Sequence, residues 1–159
     1  MTLIREATPG DEARWRQLWA AYCAFYRSAV PEAVTATTWG RILDPLAPVF
    51  CLVAEREGEV IGFAVSVVHA RTWSIAPIVY LEDLYVDETV RGGGVGFALI
   101  EGLKAESRRR GACQLYWHTE GDNRAARRLY DRFQPADGYV RYRLDLQGIG
   151  DSDKTGFLA

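Results

Sequence analysis

The stretch Arg91-Gly92-Gly93-Gly94-Val95-Gly96 decides the reading of this chain, because it separates a strand-like run at 78–86 from a helix-like run at 95–110. The first backbone N–H groups of a helix have no intrahelical acceptor, and glycines let an anion reach them without a Cβ in the way. The helix macrodipole adds attraction for negative charge, so the pattern describes either a phosphate cradle or an ordinary tight turn. Arg91 adds a fixed positive charge or serves only to shape the turn. Two nucleotide patterns that share this physics fail. A dinucleotide fingerprint starting at Gly92 needs a small residue where Phe97 stands, and one starting at Gly94 needs it where Leu99 stands. A Walker A loop ends in Gly-Lys-Ser/Thr, and the chain contains no Gly-Lys pair. Residues 87–90 also hold the strand away from the first glycine, whereas a Rossmann turn is tight.

Read as Arg91-x-x-Gly94-x-Gly96, the segment resembles the R/Q-x-x-G-x-G/A signature of the GNAT N-acetyltransferase superfamily. Upstream, Tyr80-Leu81-Glu82-Asp83-Leu84-Tyr85-Val86-Asp87 resembles that family's fourth strand, along which the acyl thioester lies. Downstream, Gly121-Asp122-Asn123-Arg124-Ala125-Ala126-Arg127-Arg128-Leu129-Tyr130-Asp131 resembles its second motif, an Asn opening a helix with a Tyr seven residues later. The pieces stand in the family's order and spacing, and the resemblance covers residues 49–144. It implies acetyl-CoA as cosubstrate and no metal. The implied contacts are Leu84, Tyr85 and Val86 on the strand, Arg91, Gly92, Gly93, Gly94, Val95, Gly96 and Phe97 at the loop and helix start, and Asn123, Ala126 and Tyr130 on the later helix. Homodimers are common in the family, which makes a second copy a candidate partner. One departure is Gln134-Pro135-Ala136-Asp137 before Gly138-Tyr139, where many members have a Gly-Phe pair directly. This rearranged loop resembles the small polyamine and histone acetyltransferase branch.

Bulk properties agree with such a protein. A chain of 159 residues is expected to form one domain, here 1–146, with a flexible tail at 147–159. Hydrophobic residues at 48% and charged residues at 25% are ordinary for a soluble globular protein, and a net charge of −2 argues against a nucleic-acid surface. The first ten residues carry charges and no apolar core, and the longest apolar run, 60–68, is half a membrane span. Cys23, Cys51 and Cys113 are odd in number and widely spaced, which reads as reduced thiols in a cytoplasmic protein.

The order of elements predicts an α+β fold. A short strand at 3–5 leads through Thr8-Pro9, an N-cap followed by a first helical position, into a helix carrying Trp15, Leu18, Trp19, Tyr22, Phe25 and Tyr26 on one face. A loop with a short helix at 37–43 follows, then strands at 49–55 and 59–68 joined by Arg56-Glu57-Gly58, and a connection at 69–76. The later elements are the strand at 78–86, the helix at 95–110 stopped by Gly111, a strand at 113–118, a helix at 123–133 and a closing strand at 139–146. Helices follow only the first, fourth and fifth strands, so a doubly wound sheet is excluded. The resemblance supplies the rest: a mixed, mostly antiparallel sheet with flanking helices, splayed into a V-shaped cleft between strands four and five.

Acetyl transfer from a thioester to an amine needs a neutral nitrogen, a place for the oxyanion and a proton for the leaving thiolate. An alkylammonium titrates near ~10.4, so a carboxylate or water chain must take its proton at neutral pH. Glu82 and Asp83 point to opposite faces if strand pairing is regular, and one then faces the cleft. The resemblance to polyamine-type members makes Glu82 the first choice as base and Asp83 the second. Periodicity places Tyr130 on an apolar face with Ala126, Leu129 and Phe133, and in the resembled family this Tyr is the general acid. Asn123 is either a pantetheine partner or a helix cap, and a backbone N–H near Leu84 or Tyr85 would meet the oxyanion. Aromatic stripes are mostly core, yet the resembled family places its acceptor near the first helix. Tyr26, Trp39, Trp73 and Glu82 are therefore the expected acceptor contacts, with Trp117 a further candidate. These aromatics with Glu82, Asp83, Asp87 and Glu88 suggest a basic small-molecule or peptide amine. His69 and His118 are isolated from any Ser or Cys motif and are assigned no nucleophilic or metal role. An acyl-CoA-sensing module without catalysis is the alternative function.

Overall fold

A computed structural model describes residues 1–144 and Leu146. Its strands are β1 (Leu3–Glu6), β2 (Val49–Arg56), β3 (Glu59–Arg71), β4 (Ser74–Val86) and β5 (Gln114–Trp117). The helices are α1 (Glu12–Phe25), α2 (Glu32–Leu43), α3 (Val95–Arg109) and α4 (Arg124–Tyr130). The five strands form one sheet in chain order, every neighbour antiparallel except β4 and β5. Parallel neighbours need a crossover, and α3 supplies it.

Each sheet face carries its own core. Trp15, Leu18, Trp19 and Tyr22 of α1 pack with Trp39 of α2 on Val53, Phe63, Val65 and Tyr85. Leu99, Ile100 and Leu103 of α3 pack on the other face against Leu52, Ala54, Val79 and Leu81. Alternation along β2 and β3 delivers side chains to both layers, so these central strands are apolar almost throughout. Two glycines admit close contacts. A Cβ on Gly62 would stand 2.8 Å from the Tyr85 carbonyl oxygen, and one on Gly102 would stand 2.5 Å from Ile4.

Four expectations need correction. The segment 69–76 is not a connection: β3 and β4 pair out to Arg71 and Ser74, leaving Thr72 and Trp73 as the turn. Backbone pairing between adjacent strands is satisfied whatever the side chains, so the polar His69 and Arg71 do not end it. The helix expected at 37–43 begins earlier, at Glu32, where Pro31 precedes good helix formers. Trp39 is 4% exposed, packs tilted by 34° against Trp15 at 4.9 Å and does not line the cavity, so it is a core residue. The closing strand expected at 139–146 is absent from the described residues: β5 is the sheet edge, and Tyr139, Val140, Tyr142 and Leu144 are 74–93% exposed. Alternation specifies a face, not the neighbouring strand that must receive it. Asp145 and the expected tail at 147–159 lie outside the described residues.

Candidate active site

The cleft originates in two irregularities of β4. Val65 pairs with Asp83 and Ser66 with Leu81, which leaves Glu82 as an unpaired bulge. Regular pairing would send Glu82 and Asp83 to opposite faces, but across the bulge both line one cavity. Pairing of β4 with β5 then stops at Leu81 and Trp117. Beyond that point β4 has a bare edge. Asp87 donates its N–H to the Ile61 carbonyl of β3, and strand alternation then turns the backbone groups of Leu84 and Val86 toward the gap. Of Leu84 and Tyr85, it is Leu84 whose N–H faces that side.

The glycine segment follows that edge. Gly92 and Gly94 have φ of 83° and 77°, a left-handed conformation that a Cβ would strain, and Gly94 caps α3. The first-turn N–H groups of Val95, Gly96 and Phe97 consequently open toward the loop side of α3. A Cβ on Gly96 would stand 3.0 Å from Leu129 Cδ2, so the bare backbone there lets α4 lie close against α3. Phe97 stacks on Phe133 at 4.6 Å, which fixes the same two helices further along. Arg91 donates from Nε to the Val86 carbonyl at 3.1 Å, and its guanidinium lies 5.3 Å from the Tyr85 ring centre. In this geometry Arg91 shapes the turn.

On the α1 and α2 side a cavity of about 240 Å³ is lined by Tyr22, Tyr26, Thr38, Arg41, Glu82 and Asp83, among others. Asp83 is 4% exposed while Glu82 is exposed. Burial pushes the Tyr22 hydroxyl pKa strongly up, and the charge of Asp83 and its hydrogen bond with Tyr22 add to that. Tyr22 thus holds its proton and donates it to Asp83. The aromatic stripe signalled Tyr22 as a core residue; its hydroxyl at the cavity was visible only once Asp83 was placed.

Tyr130 enters from the opposite side of the sheet on α4. Its ring meets Trp117 edge-on at 5.5 Å, and burial pushes its pKa up to about 12, with a smaller contribution from Tyr26. A phenol held so far above neutral keeps its proton available for donation. Trp117 is the last β5 residue paired with β4, so Tyr130, packed on its ring, stands where the two strands part. Asn123 accepts the Ala126 N–H at 3.1 Å and caps α4, which leaves its amide NH2 as a donor.

The structure thus brings Tyr26, Glu82 and Asp83 to one cavity, with Tyr130 packed on Trp117 at the end of the β4–β5 ladder and Asn123 opening the same helix α4. Trp73 does not join them: it is 87% exposed at the β3–β4 turn and does not line the cavity. Its aromatic character alone had put it there, and residues 72–73 are where the hairpin reverses.

A bulged central strand, a short parallel neighbour that ends at Trp117 and a glycine-capped helix following the bare edge define an acyl-CoA N-acyltransferase architecture. The model of the acetyltransferase (GNAT) family matches residues 15–134, and the chain belongs to that family. It is a GNAT-type N-acetyltransferase. The D-amino-acid N-acetyltransferase of Saccharomyces cerevisiae is 33% identical over 143 residues, 89% of either chain. The aminoglycoside N(6')-acetyltransferase type 1 of Stenotrophomonas maltophilia is 28% identical, over 91% of this chain and 94% of that one. Among solved structures, AAC(6')-Iy in complex with a CoA-S-monomethyl-acetylneamine bisubstrate analogue superposes with a TM-score of 0.77 at 19% identity, covering 92% of this chain and 99% of that one. A possible acetyltransferase of Clostridium difficile 630 reaches 0.80 at 16% identity, covering 93% and 99%. Among the described residues no helix is long and apolar enough to cross a membrane, and no group of His, Cys, Asp and Glu is arranged to hold a metal ion.

Proposed function

We propose that this chain moves an acetyl group from acetyl-CoA directly to a small primary amine, both substrates being bound at once on opposite sides of the β4–β5 gap. The observation that carries this is the placement of acidic Glu82 and Asp83 on one side and the half-buried phenol of Tyr130 on the other side of a strand edge that has no ladder partner among the described residues.

The residues present fit acetyl-CoA. The bare edge at Leu84 and Val86 offers a pantetheine arm the backbone pairing that β5 withholds, and Asn123 can add its free amide donor. The N–H groups of Val95, Gly96 and Phe97, reached past Gly92, Gly93 and Gly94, suit a pyrophosphate. Ala126 and Phe97 border the same channel. The bound thioester supplies an activated acyl carbon and a good leaving group. Glu82, exposed at the cavity, takes the ammonium proton directly or through water. Asp83 and Tyr22 form the floor that holds the amine, and Tyr26 walls it. The Leu84 N–H stabilises the oxyanion, and Tyr130 gives its proton to the departing sulfur. Acceptors in reach of this reading include amino acids, polyamines and lysine-like amines.

The exposed apolar side chains of Tyr139, Val140, Tyr142 and Leu144 support a homodimer in which a second copy covers them. Light scattering at micromolar concentration tests this, and a monomer would contradict it.

Tyr130→Phe tests the mechanism. Loss of the leaving-group proton is expected to lower kcat by roughly 10²-fold while leaving the acetyl-CoA dissociation constant within about twofold. An unchanged kcat would remove Tyr130 from the mechanism.

A further inference from the structure

Next to the acceptor cavity lies a surface that the mechanism does not use. The floor of the cavity includes Val65, and the same face of β3 continues through Val67, which pairs with Tyr80 of β4, to His69. Tyr80 in turn pairs with Tyr116 of β5. The Tyr80 and Tyr116 rings stack with centres 5.0 Å apart and planes 30° apart. His69 Nε2 lies 2.9 Å from the Tyr116 hydroxyl, and His118 Nδ1 lies 3.3 Å from that of Tyr80. Both imidazoles are exposed and both phenol rings half-buried, so the group forms an outward-facing aromatic floor whose polar tips are already engaged with one another.

Its position relative to the reacting nitrogen follows from the strand. Tyr80 precedes Glu82 by two residues, about 6–7 Å of extended chain, and the bulge at Glu82 shortens this. The Glu82 charge raises the pKa of Tyr80 and of Tyr116, after burial the next largest cause for each. An amine held at Glu82 is thus one strand repeat from the Tyr80–Tyr116 pair, a span that an aryl group carried on two methylene carbons bridges.

We propose that the stacked Tyr80–Tyr116 pair, rimmed by His69 and His118, seats the ring of the acceptor, making the preferred substrate a primary amine with an aryl group about two carbons from the nitrogen. This rests on the acetyl-transfer reading and narrows its acceptor. Stacking and edge contacts supply the attraction, and the hydroxyl–imidazole pairs hold the two phenols in place. A polyamine brings this surface no ring to stack, only a second ammonium. Arylethylamines and aromatic amino acids share the recognised chemistry.

The test compares kcat/KM for 2-phenylethylamine, D- and L-phenylalanine, butylamine and spermidine, using the wild type, Tyr116→Ala and Tyr116→Phe. The aryl amines are expected to exceed butylamine and spermidine by about tenfold. That ratio should collapse in Tyr116→Ala, chiefly through KM, and persist in Tyr116→Phe, which keeps the stack and loses only the bond to His69. Phenylalanine above 2-phenylethylamine would identify the amino acid as the source of the ring, and the reverse order the simple arylethylamine. Equal rates for butylamine and 2-phenylethylamine in the wild type, or a ratio untouched in Tyr116→Ala, would overturn the proposal while leaving acetyl transfer intact. Ligand-observed NMR of 2-phenylethylamine without acetyl-CoA reads the surface independently of turnover: binding lost in Tyr116→Ala supports it, and absent or unaltered binding overturns it.

Discussion

At the scale of single residues, the site turns on where carboxylates and phenols sit relative to water. Glu82 is exposed at the cavity and Asp83 is buried against Tyr22, and the proposed mechanism accordingly gives proton uptake to the first and positioning to the second. Glu82→Gln is expected to lower kcat by roughly 10²-fold and to remove the acid limb of the pH–rate profile, whereas Asp83→Asn should act mainly on the acceptor KM. The opposite pattern would exchange the two roles. Away from the site, Arg5 grips Asp11 with two hydrogen bonds of 2.7 and 2.8 Å, and Thr8 adds its N–H and hydroxyl. The Arg5 hydrogen bond, foremost, lowers the Asp11 carboxyl from its ordinary 3.8 to about 2. A carboxyl held below its unfolded value contributes stability above that value and loses it as pH falls through the folded one. The contribution is about 2 kcal/mol, present above about pH 4 and lost on acidification toward pH 2. Asp11→Asn should lower the melting temperature at pH 7 and flatten its decline between pH 4 and 2. A decline as steep as in the wild type would contradict the assignment.

At the scale of elements, the cleft is a property of β4, and β4 is held by β3. The Gly62 backbone approaches the Tyr85 carbonyl so closely that an added Cβ would stand 2.8 Å from it, against backbone that cannot rotate away. Gly62→Ala should therefore cost about 1–3 kcal/mol in a denaturant titration and, by pushing β4 beside Leu84, raise the acetyl-CoA KM. A variant as stable as the wild type would show that the two strands separate freely. Much at this scale was legible beforehand. The glycine segment, the long helix after it and the strand before it were bounded closely, because special backbone conformations and apolar periodicity are local signals. The β3–β4 hairpin was cut short at His69, since its outer half is held by pairing and not by hydrophobicity. No residue type encodes the bulge at Glu82, because register emerges from two strands together.

At the scale of the whole molecule, a sheet with one core on each face loses a ladder partner along one edge of β4, and the proposed mechanism brings its two substrates to that edge from opposite layers. The motifs of the proposed acetyl-CoA side are contiguous in sequence, whereas the cavity is assembled from α1, α2 and three strands. Trp39 and Trp73 show the difference: both are aromatic, yet one is core and one stands at a hairpin turn. Tyr22 and Tyr116 carry no motif, and only helix packing and strand register bring them beside β4. The most direct measurement is free-thiol release from acetyl-CoA with the wild type across aryl amines, amino acids, polyamines and aminoglycosides, against a blank without amine. Release stimulated by at least one amine class and reduced by roughly 10²-fold in Tyr130→Phe is the predicted result. A panel flat at the blank rate, with acetyl-CoA bound, would contradict catalysis and leave a domain that only senses acyl-CoA.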